Sequence, residues 1–330
     1  MNAPVVIEHL YKTYTRRHFF GPNTEKSVLR DVSLTLQENH VLGLVGESGC
    51  GKSTLCKVLL GIEKPTAGTV LANGKDVPHL SKSEFKKLRR VMQVVYQDPY
   101  SSLDPRMTVR QLLSEPLDIH NLKKDRAERQ AFLAELLAAV GLSESQLDRY
   151  PHEFSGGQRQ RICIARALAL SPKILVADEP VSALDVSVQA QILNLLKEIK
   201  QKRNLSMLFV THDFAVARFL CDDIAVMYQG RLVEYAPAEE LFTNPQHPYT
   251  QALLSAVPSV SKRPEISAAV QEHPERAAWA CPFAPRCPYA VADCQTTPLM
   301  LKEIFQKHKC ACGVLPFKFQ KSAAAVSEEV

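Results

Sequence analysis

The nine residues 46–54, GESGCGKST, constrain the fold of this chain more than any other stretch. They fit the pattern G-x4-G-K-[ST] and follow the apolar run VLGLVG (41–46). In that context glycines let backbone N–H groups curl around phosphate oxygens, and a helix starting near Ser53 directs its N-terminus at the anion. The stretch therefore predicts a strand, a phosphate-binding loop and a helix. A glycine-rich turn with a chance lysine is the alternative, which the full match and its flanks disfavour.

Side chains in and beyond this loop are suited to nucleotide hydrolysis. Lys52 would neutralise the β- and γ-phosphates, and the Ser53 hydroxyl would ligate Mg²⁺. In KILVADEP, Asp178 ends an apolar strand and suits Mg²⁺ through a water, while Glu179 is the candidate general base. His212, after the run MLFVT, is the candidate γ-phosphate sensor, although an isolated histidine there is more often a polar cap.

Five short apolar runs separated by helical stretches predict a parallel α/β sheet with crossover helices. These runs are 41–46, 91–96, 174–178, 207–211 and 224–228. Two N-terminal segments alternate apolar and polar residues instead, at 5–14 and 29–36, and predict a small antiparallel sheet. Residues 108–150 are expected to be mostly helical, with a core-facing stripe formed by Phe132, Leu133, Leu136, Leu137 and Val140.

The remaining bulk features narrow the class of protein. The most apolar helical candidate, 131–142, is shorter than a membrane span and contains Glu135. The start of the chain lacks the pattern of a signal peptide. We therefore expect a cytosolic protein unless a partner holds it at a membrane. The net charge of +5 is too small to indicate strong nucleic-acid binding.

At three further stretches the sequence resembles the ATP-binding cassette (ABC) family. FSGGQRQR (154–161) looks like the family signature, with Phe154 where leucine is commoner. VVYQDPYSSLDP carries Gln97 at the Q-loop position, and SALD (182–185) matches the D-loop. The resemblance covers roughly residues 5–257 with every motif in order. It implies an α/β fold with a RecA-like parallel-sheet core, an antiparallel β subdomain and a helical subdomain at about 98–165.

The resemblance also implies a role for individual residues. Glu179, His212 and Gln97 would be catalytic, with Gln97 coupling the metal site to the helical subdomain, and Mg²⁺ would be held through Ser53, Gln97 and Asp178. The signature residues would cap the ATP of a second cassette, and Asp185 would belong to the D-loop. Tyr14 is the expected adenine-stacking aromatic, with Tyr11 as the alternative. The other implied ATP contacts are Gly46, Ser48, Gly49, Cys50, Gly51, Lys52, Ser53 and Thr54, and the signature residues are Ser155, Gly156, Gly157 and Gln158.

Longer stretches, including HPYTQALLSAVP, look like the peptide and nickel importers of bacteria, most of all the F-type ATPase subunit of dipeptide and oligopeptide importers. That resemblance implies a heterodimer with a second, related ATPase, two transmembrane permeases and an extracytoplasmic binding protein. It places the chain at the cytoplasmic face of the inner membrane, with no nucleic-acid partner. Import of nickel or another metal chelate stays open. A soluble ABC ATPase acting on ribosomes or nucleic acid is disfavoured by the single cassette and the lack of a long coiled coil.

Five of the nine cysteines lie between Cys281 and Cys312, where helical periodicity is lost. We therefore expect a nucleotide-binding domain at 1–257 and a small cysteine-rich extension at 258–330. The subfamily resemblance implies a [4Fe–4S] cluster, with His308–Cys312 matching a terminal H-x3-C. Cys310 leaves the fourth ligand open, Zn²⁺ is the rival metal, and free thiols are the third possibility. The implied ligands are Cys281, Cys287, Cys294 and Cys312.

Overall fold

The computed structural model describes residues 3–16, 23–256 and 280–314 of this 330-residue chain. Its strands are β1 (Val5–Arg16), β2 (Thr24–Leu36), β3 (Val41–Val45), β4 (Ala67–Ala72), β5 (Lys75–Asp76), β6 (Met92–Val95), β7 (Ile174–Asp178), β8 (Ser206–Thr211), β9 (Asp223–Tyr228), β10 (Arg231–Pro237), β11 (Lys302–Phe305) and β12 (His308–Cys310). Its helices are α1 (Lys52–Leu59), α2 (Lys82–Val91), α3 (Pro99–Ser102), α4 (Val109–Ile119), α5 (Arg126–Ala139), α6 (Gly156–Leu168), α7 (Val186–Arg203), α8 (Phe214–Leu220), α9 (Ala238–Thr243), α10 (Pro248–Ala256) and α11 (Asp293–Thr296).

The strands form two sheets. A four-stranded antiparallel sheet has the order β2-β1-β4-β5, and an eight-stranded sheet has the order β11-β12-β10-β9-β3-β8-β7-β6. The five strands from β9 to β6 are parallel, whereas β10, β12 and β11 are added antiparallel. All five predicted apolar runs are strands, and the small antiparallel sheet is confirmed. Val91 ends α2 and does not start β6.

Strand β3 shows why these runs are mainly apolar and do not alternate. Val41 and Val45 pack into one hydrophobic cluster, and Leu42 and Leu44 pack into another on the opposite face. Because successive side chains of a strand point to opposite faces, a sheet covered on both sides requires apolar residues at every position. The phosphate loop that follows β3 is thus attached to the centre of the main sheet.

The predicted helical region contains α4 and α5. Thr108 caps α4, accepting from the backbone N–H of Gln111, whose side chain accepts from the Thr108 N–H in return. Such reciprocal capping fixes where a helix begins. The predicted stripe is confirmed, since Leu133, Leu136, Leu137 and Val140 are buried and Phe132 packs against the same cluster.

The described part of the C-terminal extension pairs with the main sheet. Strand β12 pairs with β10, with Glu234 opposite Cys310, and the Ala311 N–H donates to the Val233 carbonyl at 2.8 Å. Nothing in the sequence indicated this pairing. The expected boundary at 257/258 lies outside the described residues. Over the three described ranges, no helix combines the length and apolar character needed to cross a membrane.

Candidate active site

The phosphate loop joins the carboxyl end of β3 to the N-terminus of α1. Gly51 has a φ of 118°, which a residue with a Cβ rarely adopts. A Cβ at Gly46 would lie 2.1 Å from the Met227 carbonyl oxygen, so the loop backbone packs directly on β9. Gly46 and Gly51 therefore allow the loop backbone to adopt the conformation in which its N–H groups are exposed at the N-terminus of α1.

The Lys52 side chain folds back onto the backbone of its own loop. Its Nζ donates to the carbonyl oxygens of Gly46 at 2.7 Å and Glu47 at 3.0 Å, and the residue is only 4% exposed. A buried ammonium group needs such partners, because leaving it unpaired would cost a large desolvation penalty. A phosphate oxygen can replace these carbonyls as the partner of the charge.

One open cavity lies over this loop, and it includes Gln97 and Glu179 from the ends of β6 and β7. The predicted loop residues 48–54 line it, whereas Gly46 is buried beneath. Six lining residues were missed by sequence reasoning, because no motif marks them and only the fold brings β2 and the β9–β10 turn here. They are Glu25, Lys26, Ser27, Val28, Arg30 and Gln229.

Asp178 and Ser53 face each other beside the loop. Ser53 Oγ donates to Asp178 Oδ1 at 3.4 Å. Burial raises the pKa of Asp178 above its usual value, and the neighbouring Glu179 carboxylate acts in the same direction, although the Ser53 hydrogen bond and Lys52 oppose the shift. A carboxylate whose charge is poorly stabilised, next to a hydroxyl, suits a hard divalent cation.

Glu179 and His212 are brought together by adjacent strands. His212 Nδ1 lies 3.1 Å from Glu179 Oε2, so Nδ1 carries the proton and donates, since a carboxylate only accepts. The Glu179 side chain is 12% exposed and that of His212 is 52% exposed. Glu179 has a φ of 49°, a strained backbone for a side-chain-bearing residue that recurs at functional positions.

Tyr14 lies outside the group of residues that line this cavity. It sits on β1 opposite Lys26 of β2, and the Lys12 ammonium lies 4.7 Å from its ring centroid. Tyr11 is 39% exposed. The predicted stacking of adenine on Tyr14 stays a prediction.

The signature residues begin α6. Ser155 is its N-cap, with Oγ accepting from the Gln158 N–H at 3.4 Å while Gln158 Oε1 accepts from the Ser155 N–H at 3.1 Å. Gly157 packs on α7, since a Cβ there would lie 2.4 Å from Val188 Cγ1, and Asp185 is the exposed N-cap of α7. Ser155, Gly156, Gly157, Gln158 and Asp185 do not line the phosphate-loop cavity.

A second cavity is lined by cysteines. Cys281, Cys287, Cys294 and Cys312 all face it, whereas Cys310 is buried in β12 and does not. Burial raises the pKa of the Cys281 thiol to about 11, so it is protonated at neutral pH without a cation. Within the described residues, no group of three or more His, Cys, Asp or Glu side chains is arranged to hold a single metal ion.

His308 has a structural role next to this cavity. Its Nε2 lies 2.8 Å from Glu234 Oε1, and both side chains are completely buried. Glu234 also accepts from the backbone N–H groups of Gln246 at 2.6 Å and His247 at 3.1 Å. One carboxylate therefore ties β12 to the segment that precedes α10.

Two protein-family models match parts of the chain. Residues 29–182 match "ABC transporter", and residues 233–294 match "Oligopeptide/dipeptide transporter, C-terminal region". The oligopeptide transport ATP-binding protein OppF of Bacillus subtilis is 51% identical over 254 residues, covering 76% of this chain and 81% of OppF. A putative peptide import ATP-binding protein of Brucella ovis is 45% identical over 304 residues, covering 90% of this chain and 94% of the relative.

Solved structures of single cassettes share the fold. The ATP-binding cassette MJ0796, solved as a dimer in a post-hydrolysis state with ADP and phosphate, superposes with a TM-score of 0.63 and 31% identity, covering 71% of this chain and 98% of that one. CbiO1 of Clostridium perfringens, part of the ABC transporter complex CbiONQ, gives a TM-score of 0.63 at 27% identity, covering 74% of this chain and 92% of that one.

Proposed function

Because this chain belongs to the ABC transporter ATP-binding proteins, which hydrolyse ATP, we propose that it is the ATPase subunit that powers a bacterial importer of dipeptides or oligopeptides. The observation that carries the ATPase function is the position of Asp178 and Glu179 beside Ser53 of the phosphate loop, with Asp178 Oδ1 3.4 Å from Ser53 Oγ. The cargo rests on the oligopeptide-transporter match over 233–294 and on the names of the relatives.

In this proposal the phosphate loop would hold the phosphates of ATP. Lys52 would exchange its carbonyl partners for phosphate oxygens, and Ser53, Asp178 and Gln97 would hold Mg²⁺, which would neutralise charge at the transferring phosphate. The donor set fits, since a carboxylate, a hydroxyl and an amide oxygen are ligands that Mg²⁺ prefers. Glu179 would accept the proton of the attacking water. His212 orients Glu179 through Nδ1–H in this structure, and it would donate that hydrogen bond to the γ-phosphate instead when ATP is bound.

The signature serves a second cassette. Ser155 to Gln158 form the N-terminus of α6 and do not line the phosphate-loop cavity of their own chain, and helix N-termini favour a bound anion. A paired cassette would place its ATP there, with Asp185 near the junction. The dimeric state of the MJ0796 structure supports this arrangement. We propose that the partner is a second, related ATPase.

The four cysteines that line one cavity fit a [4Fe–4S] cluster through Cys281, Cys287, Cys294 and Cys312. Thiolates are the ligands such a cluster takes, and it is larger than a single ion, so its ligands need not converge on one point. Protein purified anaerobically should be brown and contain iron and sulfide. Colourless protein with one bound zinc would show that these cysteines bind zinc and not a cluster.

The transport function requires partners in the membrane. We propose two permeases that hold this chain at the cytoplasmic face of the inner membrane and an extracytoplasmic protein that selects the cargo. Closing of the paired ATPases would move the permeases through the helical subdomain beside Gln97. Import of nickel or another chelate would use the same chain with a different binding protein.

Co-purification tests this function. The Glu179→Gln variant, loaded with ATP in detergent-solubilised membranes, should retain two multi-span permeases and a second related ATPase, identified by mass spectrometry. The binding protein encoded nearby can then be screened against peptides and metal chelates. Recovery with ribosomes or nucleic-acid enzymes, and without permeases, would contradict the importer and leave the ATPase chemistry intact.

A further inference from the structure

The segment that opens α10 contacts the phosphate loop. The hydroxyl of Tyr249 accepts a hydrogen bond from the Glu47 N–H at 3.1 Å, and Tyr249 is 1% exposed. Glu47 is the second residue of the loop, and its carbonyl also accepts from Lys52 Nζ. Tyr249 therefore fixes the peptide unit at which the loop leaves the sheet.

A second contact reaches the same residue from the cysteine-rich extension. Arg286 Nη1 lies 3.4 Å from Glu47 Oε1 and 3.4 Å from the Tyr228 hydroxyl. The ion pair is 47% and 41% exposed, so it adds little stability by itself. Its effect is to set the direction of the Glu47 side chain.

An aromatic triad links these contacts to the cysteine cavity. The ring centroids of Tyr228 and Tyr249 are 4.4 Å apart, and Phe283 lies 5.5 Å from Tyr228 and 5.4 Å from Tyr249. Phe283 is 2% exposed and lines the cavity with Cys281 and Cys287. Because close-packed interiors transmit displacements, a shift of Phe283 must move Tyr249.

We propose that Tyr249 and Arg286 are positioning residues of the phosphate loop, and that occupancy of the cysteine cavity changes ATP affinity through them. The loop 281–287 starts and ends at a cavity cysteine and carries Phe283 and Arg286 between them. A group bound to Cys281 and Cys287 fixes that loop, and its loss frees the loop and the contacts to Glu47. The effect of the cavity rests on the cluster proposed above, whereas the positioning by Tyr249 does not.

Two substitutions test the positioning, each with a matched control. Tyr249→Phe removes the hydroxyl that accepts from Glu47, and its control Tyr235→Phe removes a hydroxyl that donates to Asp223 at 2.7 Å. Arg286→Met removes the ion pair to Glu47. Its control Arg218→Met removes an ion pair to Glu239, which has the same 3.4 Å length. The two arginines are matched in a second respect, since Arg218 stacks on Phe242 as Arg286 stacks on Phe283.

The measurement is the Kd for Mg-ATPγS of the full-length chain, with thermal unfolding recorded in parallel. Tyr249→Phe and Arg286→Met should weaken binding about fivefold or more, the lower end of typical coupling between sites, while the controls stay within about twofold. Equal affinities in variant and control, or losses that follow the melting temperature alone, would overturn the positioning role.

Coupling to the cavity is tested by a double-mutant cycle. Cys287→Ser should release iron and weaken Mg-ATPγS binding, whereas Cys310→Ser, which alters a cysteine outside the cavity, should retain iron and affinity. The double variant Tyr249→Phe/Cys287→Ser should bind Mg-ATPγS no more weakly than Cys287→Ser alone, because both substitutions act through the same contact with Glu47. If the fold losses in affinity of the two single variants multiply in the double variant, the coupling between the cavity and the phosphate loop is refuted. If wild-type protein lacks iron and sulfide, the cluster and its coupling both fail, while the result for Tyr249→Phe alone still decides the positioning.

Discussion

His212 donates through Nδ1 to the Glu179 carboxylate across 3.1 Å, from the end of one parallel strand to the end of its neighbour. The two groups predicted separately as a base and a phosphate sensor therefore form one unit. The hydrogen bond directs one carboxylate oxygen toward the imidazole and leaves the other for water. Glu179 lines the phosphate-loop cavity, so that second oxygen belongs to the site.

Replacing this unit should stop turnover without preventing binding. Glu179→Gln is expected to lower kcat by about 10² or more, the usual range for loss of a general base. ATP binding should persist and the closed pair of cassettes should accumulate. His212→Ala should also lower kcat, and the double variant should be no slower than Glu179→Gln alone. His79→Ala, which breaks an exposed pair with Asp76, is the control; near-normal hydrolysis by Glu179→Gln would remove Glu179 from the base role.

The Asp178 carboxylate should lower the stability of the fold when no metal is bound and should be required for Mg²⁺ binding. Its pKa is raised, chiefly by burial, so the folded chain disfavours the charged form of Asp178 when no cation is bound. Asp178→Asn should melt at the same or a higher temperature than wild type in EDTA, yet lose the Mg²⁺ dependence of ATP binding. Calorimetry with and without Mg²⁺ measures both effects. A lower melting temperature with intact Mg²⁺ dependence would show that Asp178 serves packing alone.

Gly157 should be required for close packing of the signature helix. A Cβ at Gly157 would lie 2.4 Å from Val188 Cγ1, whereas one at Gly156 would meet only Leu184 Cδ2 at 3.6 Å. Gly157→Ala should therefore destabilise the chain by about 1–3 kcal/mol, the cost of overpacking, and Gly156→Ala by less. Adding Val188→Ala should restore stability to Gly157→Ala. Thermal unfolding of wild type and these three variants checks this prediction. If Val188→Ala does not restore stability to Gly157→Ala, the constraint on Gly157 does not come from its packing against Val188.

The buried pair of His308 and Glu234 should hold the extension to the sheet. His308→Leu leaves the carboxylate without its side-chain partner and should cost about 3 kcal/mol, the lower end for a broken buried pair, because two N–H donors remain. His308→Gln, which keeps an N–H donor, should cost less. Chemical denaturation measures the difference, and equal losses would indicate that the ring volume matters more than the hydrogen bond.

His40 should give the chain a pH-dependent stability. The pKa of His40 is raised above 6.5, chiefly by its hydrogen bond to Asp223, although burial opposes the shift. A raised pKa in the folded state stabilises the chain fully below the ordinary value, and this contribution disappears as pH rises through the folded-state pKa. The difference in melting temperature between wild type and His40→Gln should therefore be larger at pH 5.5 than at pH 8. If the difference in melting temperature is the same at both pH values, the charge of His40 does not contribute to stability.

Local patterns were sufficient for the core of the fold. The runs that became β3, β6, β7, β8 and β9 are mainly apolar because both faces of the sheet are covered, and that property is visible in the residues themselves. The phosphate loop was equally visible, since its glycines, Lys52 and Ser53 are fixed by spacing along the chain. Asp178 and Glu179 could be predicted as candidates because they lie at the end of an apolar run, and the structure places them at the end of β7.

Contacts between distant segments could not be predicted in the same way. Glu25 to Val28 line the phosphate-loop cavity, and Glu234 pairs with His308, 74 positions later. Cys312 faces the cysteine cavity and Cys310 does not: Cys310 is the last residue of β12, whereas Cys312 lies beyond the end of that strand, so strand alternation does not fix both side chains. The sequence alone determined which strands and loops form and which chemical groups they carry. Only the tertiary structure decided which of those groups meet, because strand register and packing depend on the whole chain at once.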